Sequence, residues 1–321
     1  MRVLANDGLS REGIELLEKE GIEVISENIG ENNLADYIND HQIDVLLVRS
    51  ATQVTQELIE EAPGLKVIGR CGVGLDNIDV DYAKEMGLIV INTPGASSRA
   101  VAELVFAHFF SLARNLHEAN RRMPMEGDSN FEGLKKSFKN AFELQGKTLG
   151  IIGMGKIGTE VAAIGISLGM KILYHSRSTT QREINLEFYD GQKVHFKLEA
   201  SDLDTVISQS DFISINTPKT NEYLLDEAQY QKMKKGVFIV NAARGGVINE
   251  KALLKSMQSG MVAGAALDVF EQEPYPEISL LMHPGLSLSP HLGGNTIDAQ
   301  NKIGIEIAKR LIKINNDNAT I

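Results

Sequence analysis

Leu149-Gly150-Ile151-Ile152-Gly153-Met154-Gly155-Lys156-Ile157-Gly158 is the stretch on which the fold turns. An apolar strand-forming run enters a G-x-G-x-x-G, and Val161, Ile164 and Leu168 leave it at helical spacing, ending at Gly169 where another strand begins. A glycine-rich string alone is weak, because such loops are common; the strand before it and the helix after it make it a Rossmann dinucleotide unit. Gly153 permits the tight turn, Gly155 lets the backbone approach a pyrophosphate, and Gly158 allows close helix packing. The helix N-terminus then offers unpaired N–H groups to the anion.

Outward from this unit the same alternation continues. After Gly146 strands are expected at Thr148 to Gly153, Lys171 to His175, Phe212 to Asn216, Val237 to Ala242 and Gly264 to Val269. Upstream, Val3 to Asn6, a helix Arg11 to Glu20 closed by Gly21, and Ile22 to Ile25 read as β-α-β. The pattern recurs through Asp44 to Val48, a helix near Gln56 to Ala62, and Lys66 to Arg70. The fold class is therefore α/β, with two Rossmann-like, doubly wound parallel-sheet domains. Between them Ser98 to about Arg122 carries Val101, Val105, Phe109, Leu112 and Leu116 at helical spacing, apolar on more than one side. It reads as one long buried helix, either a spine between domains or a subunit interface. One segment breaks the alternation: about 187–198 alternates on both sides of Asp190-Gly191, a dipeptide suited to a type I′ turn, and predicts a surface hairpin. Ile303 to Ile314 is again helical by spacing, and the polar tail from Asn315 is expected to fray.

Composition narrows the function. The 321 residues exceed what one core sustains, and 43% hydrophobic with 23% charged residues is ordinary for a folded protein. A net charge of −11 disfavours nucleic acid, which demands clustered Lys and Arg. Cys71 is the only cysteine, and no apolar run suits a signal peptide or membrane span, so a cytoplasmic protein is expected. No metal-ligand cluster is predicted.

The acidic residue expected about 20 positions beyond the glycine loop, to bind the ribose 2′-hydroxyl of NAD, is absent, and the second strand ends Tyr174-His175-Ser176-Arg177. Ser176 and Arg177 suit the 2′-phosphate of NADP; alternatively His175 hydrogen-bonds the ribose and Arg177 lies along the surface. At the ends of later strands stand Arg244, Glu273 and His291. Arg offers a planar fork matched to a carboxylate, His exchanges a proton near neutrality, and a nearby Glu holds a His ring in one tautomer. Taken singly, each is more often a surface or capping residue.

Their order is what persuades. Asn241-Ala242-Ala243-Arg244-Gly245-Gly246, Leu267-Asp268-Val269-Phe270-Glu271-Gln272-Glu273-Pro274 and Ser289-Pro290-His291-Leu292-Gly293-Gly294 together resemble the D-2-hydroxyacid dehydrogenase family. Arg49-Ser50-Ala51-Thr52, Gly69 to Asp79 and Asn92-Thr93-Pro94-Gly95 resemble its phosphoglycerate dehydrogenase branch. The resemblance implies a catalytic trio of Arg244, Glu273 and His291, and substrate contacts from Arg49, Ser50, Val73, Gly74 and Asn77 besides Arg244 and His291. It implies cofactor contacts from Lys156, Ile157, Thr217, Pro218, Ala242, Ala243, Asp268 and Gly294, and NAD(H) as cofactor, with NADP(H) suggested by His175-Ser176-Arg177. It further implies a discontinuous substrate domain, 1–98 with 291–321, around a nucleotide domain, 99–290, with substrate in the cleft, and a homodimer.

The activity this implies is oxidation of D-3-phosphoglycerate to 3-phosphohydroxypyruvate, the entry to serine synthesis, without the C-terminal regulatory domain of longer members and without serine feedback. Reduction of glyoxylate or hydroxypyruvate is the alternative within the family. A dinucleotide-sensing co-repressor is the alternative of another class, disfavoured by the complete trio. Arg121-Arg122 and Lys135-Lys136 are read as solvated surface charges, or else as aids to phosphate binding.

Overall fold

The computed structural model describes residues 1–318 of the chain. It divides into two compact units, Met1–Ser98 joined by the segment from Gly294 onward, and Arg99–Gly293. The sequence reading had set the second seam at 291.

In the first unit the chain runs β1 (Arg2–Ala5), α1 (Arg11–Lys19), β2 (Glu23–Ile25), α2 (Glu31–Asp40), β3 (Val45–Val48), α3 (Gln56–Glu61), β4 (Val67–Arg70), α4 (Val80–Glu85) and β5 (Ile89–Asn92). The sheet is parallel, in the order β2-β1-β3-β4-β5, so the direction of winding reverses between β1 and β3. Val45, Leu46, Leu47 and Val48 are all buried because helices cover both faces of this strand. Helices α2 and α4 were not anticipated. In Glu31–Asp40 only Leu34 and Ile38, four residues apart, reach the core, and the rest is polar.

The second unit opens with α5 (Ser98–Ala113), α6 (Leu116–Glu126) and α7 (Phe131–Ser137). The single long helix expected here is two. The first ends because Asn115 turns left-handed at φ 53°, a conformation asparagine tolerates better than most residues. Val101, Val105, Phe106, Phe109 and Leu112 of α5 are buried in the unit's core. There follow β6 (Thr148–Ile152), α8 (Lys156–Ser167), β7 (Lys171–His175), β8 (Gln181–Glu187), β9 (Lys193–Glu199), α9 (Leu203–Gln209), β10 (Phe212–Ile215), α10 (Glu227–Lys232), β11 (Val237–Asn241), α11 (Glu250–Gln258), β12 (Val262–Leu267), α12 (Ile278–Leu281) and β13 (Leu286–Leu288). The six-stranded parallel sheet reads β13-β12-β11-β10-β6-β7 and reverses between β6 and β10, at the C-terminal end of the glycine-loop strand.

After β7 the chain forms a separate two-stranded antiparallel ribbon, β8-β9, rather than another helix and a further sheet strand. It is longer than the expected 187–198 and its turn differs. Phe188 N–H bonds Gln192 and Gly191 N–H bonds Phe188, with Gly191 at φ 82°. Asp190 is not left-handed, so the two-residue type I′ turn is replaced by a longer loop in which glycine alone takes positive φ. Ile184 is fully buried and anchors the ribbon to the unit's core. In the first unit, the last helix, α13 (Ile297–Asn318), packs on α1 and runs through Asn315, where fraying was expected; 319–321 lie outside the described residues.

Candidate active site

Gly153 and Gly158 take the backbone positions expected of them. Gly153 sits at φ 97°, and a Cβ there would lie 2.5 Å from the Asn216 carbonyl oxygen. A Cβ on Gly158 would run into the Gly153 carbonyl oxygen, so only glycine lets α8 start this close to its own loop. Gly155 caps α8, faces open space, and leaves the backbone N–H groups that follow it available to an anion. Beside this cradle Thr217 Oγ1 is buried without a hydrogen-bond partner. An open, amide-lined cradle with an orphaned hydroxyl next to it fits the pyrophosphate half of a dinucleotide.

At the end of β7, His175 Nδ1 lies 3.1 Å from the Ser201 carbonyl oxygen. Facing an acceptor, Nδ1 carries the hydrogen, which leaves Nε2 as the acceptor in the neutral ring. Ser176 Oγ accepts from the amides of Ser178 and Thr179, at 3.4 and 3.2 Å. Arg177 is exposed.

The remaining candidates line the same rim. Arg244 follows β11, Asp268 follows β12, and His291 follows β13, each at the C-terminal end of its strand. His291 Nδ1 is 2.9 Å from Glu273 Oε2, while Glu273 Oε1 accepts from Phe270 N at 2.9 Å. Burial alone would lift the Glu273 carboxyl; hydrogen bonds from His291 and Phe270 N–H, with the charges of His291 and Arg244, bring it below the usual carboxylate range. The ring is thereby turned so that Nε2 points away from Glu273. Arg244 Nη1 donates to the Ala243 carbonyl at 2.7 Å, and Asn241 Nδ2 donates to the Arg244 carbonyl at 3.0 Å. A Cβ on Gly245 would collide with the Phe270 carbonyl, so the Arg-Gly-Gly turn packs against the strand-end loop that carries Glu273.

Asp268, expected beside the cofactor, is wholly buried. Its Oδ1 accepts from Ser289 Oγ at 2.6 Å and Leu292 N at 2.7 Å, its Oδ2 accepts from Gly293 N at 2.8 Å, and its backbone carbonyl accepts from His291 N at 2.8 Å. Hydrogen bonds to a charged group contribute about 1.5–3 kcal/mol each, enough in sum to offset a burial penalty of several kcal/mol. The surroundings of Asp268 are those of an anchor: three consecutive amides, including that of His291 at φ 54°, are wrapped around one residue. A left-handed non-glycine residue at a reactive position is the kind of strain a surrounding network must hold in place.

In the first unit Asn77 Nδ2 donates to the carbonyls of Arg49 and Thr52, at 2.8 and 2.6 Å, and Arg70 Nε donates to Asn77 Oδ1 at 3.2 Å. Asp7 receives Arg49 N at 2.6 Å and Thr52 Oγ1 at 2.7 Å. Asn92 Nδ2 donates to the Val73 carbonyl at 2.8 Å. These clamps hold Arg49 and Ser50 at the edge of a cavity of about 460 Å³, which Asn6, Asp7, Ser26, Glu27 and Asn28 also line. It lies at the β1/β3 reversal, where ligands bind open parallel sheets. Gly294 falls in this unit, with Ser97 side-chain atoms the nearest to a Cβ built on it. Arg122 is paired with Glu118 and Glu126, and Lys135 with Glu132, which makes both surface ion pairs.

Sequence reading missed three supports. Arg182 of the ribbon donates to the Met154 carbonyl of the glycine loop at 2.7 Å. Glu250 and Glu271 exchange side-chain-to-amide hydrogen bonds at 2.7 and 2.9 Å, tying the start of α11 to the Glu273 loop. His108 of α5 bridges two serines near Asp268, and a histidine among the apolar residues Val105, Phe106 and Phe109 was the available signal. Among the described residues no group of three His, Cys, Asp or Glu is placed to hold a metal ion, and no helix is long and apolar enough to cross a membrane.

A glycine loop on one sheet edge and an Arg, Glu and His on the same rim define a nicotinamide-dependent oxidoreductase. Residues 106–293 match the D-isomer specific 2-hydroxyacid dehydrogenase, NAD binding domain, and the chain belongs to that family. It is 42% identical to a hydroxypyruvate reductase of Thermotoga maritima, covering 97% of each chain. It is 38% identical to a D-3-phosphoglycerate dehydrogenase of Bacillus subtilis, over 97% of this chain but 56% of that one. Among solved structures, a glyoxylate reductase from Paecilomyes thermophila superposes with a TM-score of 0.80 at 30% identity, covering 97% of this chain and 93% of its own.

Proposed function

We propose that this protein is a D-3-phosphoglycerate dehydrogenase, interconverting D-3-phosphoglycerate and 3-phosphohydroxypyruvate at the head of serine synthesis, with Arg99–Gly293 as its nucleotide unit and the remainder as its substrate unit. The observation that carries this reading is Arg49. Asn77 and Asp7 fix its backbone, and Arg49 and Ser50 line a cavity, shared with the acidic Asp7 and Glu27, in which the guanidinium is the group that would meet a phosphate. Arg244 orients the substrate carboxylate, and His291 takes the C2 hydroxyl proton in oxidation or returns it in reduction. Glu273 holds the His291 ring and stabilises its protonated form. The nicotinamide ring, when bound, accepts or supplies the hydride. NAD(H) is the favoured cofactor, since His175, its Nδ1 turned to the Ser201 carbonyl, leaves Nε2 toward a ribose 2′-hydroxyl in the place of the usual acid. Arg177 is the feature that favours NADP(H).

Reduction of hydroxypyruvate or glyoxylate is the second reading. It draws on the near-full-length likeness to the Thermotoga maritima protein and on the ion pairs that already occupy Arg122 and Lys135. A homodimer fits both readings, with Phe110, Leu116, Met123, Met125 and Phe131 as exposed apolar side chains along α5–α7.

The test is kcat/KM for 3-phosphohydroxypyruvate, hydroxypyruvate and glyoxylate, each with NADH and NADPH. A preference for the phosphorylated acid, lost in Arg49→Ala, is expected. A preference for an unphosphorylated acid would move the protein to the second reading, and no turnover of any 2-keto acid would favour a dinucleotide-sensing binding protein.

A further inference from the structure

Helix α5 carries a buried histidine that the proposed mechanism does not use. His108 Nε2 lies 2.9 Å from Ser289 Oγ, and His108 Nδ1 lies 3.0 Å from Ser287 Oγ, which is itself 3.3 Å from Ser111 Oγ. Ser289 Oγ is in turn 2.6 Å from Asp268 Oδ1. A carboxylate only accepts, so Ser289 spends its one hydroxyl hydrogen on Asp268 and must receive from His108. Nε2 of His108 therefore carries a hydrogen. In a neutral ring Nδ1 is then an acceptor, so the Ser287 hydroxyl spends its one hydrogen on the 3.0 Å contact to it and Ser111 donates across the longer 3.3 Å contact. Burial pushes the His108 imidazole below its ordinary range, against a smaller upward pull from Asp268, which agrees with a neutral ring of this single tautomer. Every hydrogen in the chain Ser287–His108–Ser289–Asp268 thus has one direction, set by the buried carboxylate at its end.

Asp268 is the residue around which the amides of His291, Leu292 and Gly293 are wrapped. If Ser289 rotates away, one carboxylate oxygen is left to the Leu292 amide alone, and the left-handed backbone at His291 loses part of what holds it. All of these groups belong to the second unit.

We propose that His108 is a positioning residue for the reaction: by donating to Ser289 it fixes the hydroxyl that anchors Asp268, and through Asp268 it holds the loop that places the His291 ring. This rests on His291 being the proton-exchanging group. The chain explains why a titratable side chain stands on the buried face of α5: a neutral donor with a second, acceptor nitrogen satisfies two serines at once, which no aliphatic side chain does.

The experiment compares wild type with His108→Leu, His108→Gln, Ser289→Ala and the double variant His108→Leu/Ser289→Ala. Each is assayed with NADH and whichever of the three 2-keto acids above the wild type turns over fastest. NADH binding is followed by nucleotide fluorescence, which this tryptophan-free chain does not obscure. His108→Leu is expected to lower kcat about tenfold with KM and NADH affinity changed less than about threefold, a loss of transition-state placement rather than of binding. Gln keeps an N–H near the Nε2 position and should recover most of kcat. Ser289→Ala should match His108→Leu, and the double variant should be no worse than either single one, since both cut the same chain. Amide exchange at Leu292 and Gly293 should quicken in His108→Leu and not in His108→Gln.

Unchanged kcat and exchange in a folded His108→Leu would overturn the proposal. So would equal losses in Leu and Gln, or losses that multiply in the double variant, which would mark a packing role. Should His108→Leu not fold, Ser289→Ala, a change of one oxygen atom, decides by the same measures. If His291→Ala itself keeps wild-type turnover, the acid–base reading fails separately, and the exchange comparison still judges the chain from His108 to the loop.

Discussion

At the scale of single residues, the proposed site separates groups read as meeting the substrate from groups that hold them in place. His291→Ala should lower kcat by roughly 10²–10⁴-fold, the span general acid–base catalysis contributes, with NADH affinity nearly unchanged. Arg244→Ala should fall mainly on substrate use, raising KM as well as lowering kcat, because it removes the fork that aligns a carboxylate. Steady-state kinetics beside NADH titration checks both, and wild-type turnover in His291→Ala would remove the acid–base assignment. Arg244, Glu273 and His291 could be singled out in the sequence because each stands in a short motif whose order is informative, and the structure brings His291 and Glu273 together. The holding groups were not. His108 and Ser289 are 181 positions apart, and nothing local to either one announces the other. Asp268 could be singled out by its neighbours in sequence, yet its task depends on amides more than 20 residues downstream.

At the scale of elements, strands and helices in regular alternation could be read from periodicity, since β3, β6 and β11 are runs of apolar residues bounded by glycine or polar turns. What escaped had little periodic signal. Helix α2 buries only two side chains, β13 spans three residues, and the end of α5 depends on the backbone angle of one asparagine. The mutual grip of Glu250 and Glu271 joins two elements in a way that pH should disclose. Burial, with Glu271, Glu277 and Glu273 adding to it, lifts the Glu250 carboxyl to about 7, against a smaller opposing pull from its hydrogen bond with the Glu271 amide. Unfolded, the same group titrates near ~4.3. Between those values the folded protein holds a proton that the unfolded chain has lost, so stability falls as pH rises through the window and the whole penalty is present above it. Gln at this position keeps an oxygen for the Glu271 amide and carries no charge. Glu250→Gln should therefore melt roughly 2–6 °C above wild type at pH 8, with the difference narrowing as pH falls and closing only below about pH 4. A thermal-melt series across that range checks it, and a gap independent of pH would refute it.

For the whole molecule, two compact units with separate cores imply separate reporters. Cys71 is buried in the first unit, and burial pushes its thiol up to about 12, opposed in part by Arg70 and Arg49. It should resist thiol reagents in the folded protein and react only when the β1–β5 sheet opens. The glycine loop lies in the second unit, so NADH at about 100 times its Kd should stabilise that unit by about 2.7 kcal/mol and delay its urea transition more than it delays Cys71 labelling. Equal delays would show that the cofactor's stabilisation is shared across the chain.

The ribbon β8-β9 has a further consequence. Its tip, at Tyr189 and Asp190, stands in solvent, while Ile184 near its base is locked in the core. Across the ribbon Glu183 faces Lys197 and Glu187 faces Lys193, so opposite charges lie paired strand to strand and discourage a third strand from adding to either open edge. The tip is thus a protruding, charge-guarded handle standing in solvent. A peptide tag or a surface tether grafted between Asp190 and Gly191 would have somewhere to go, and the enzyme could be immobilised by it with both sheets left as they are.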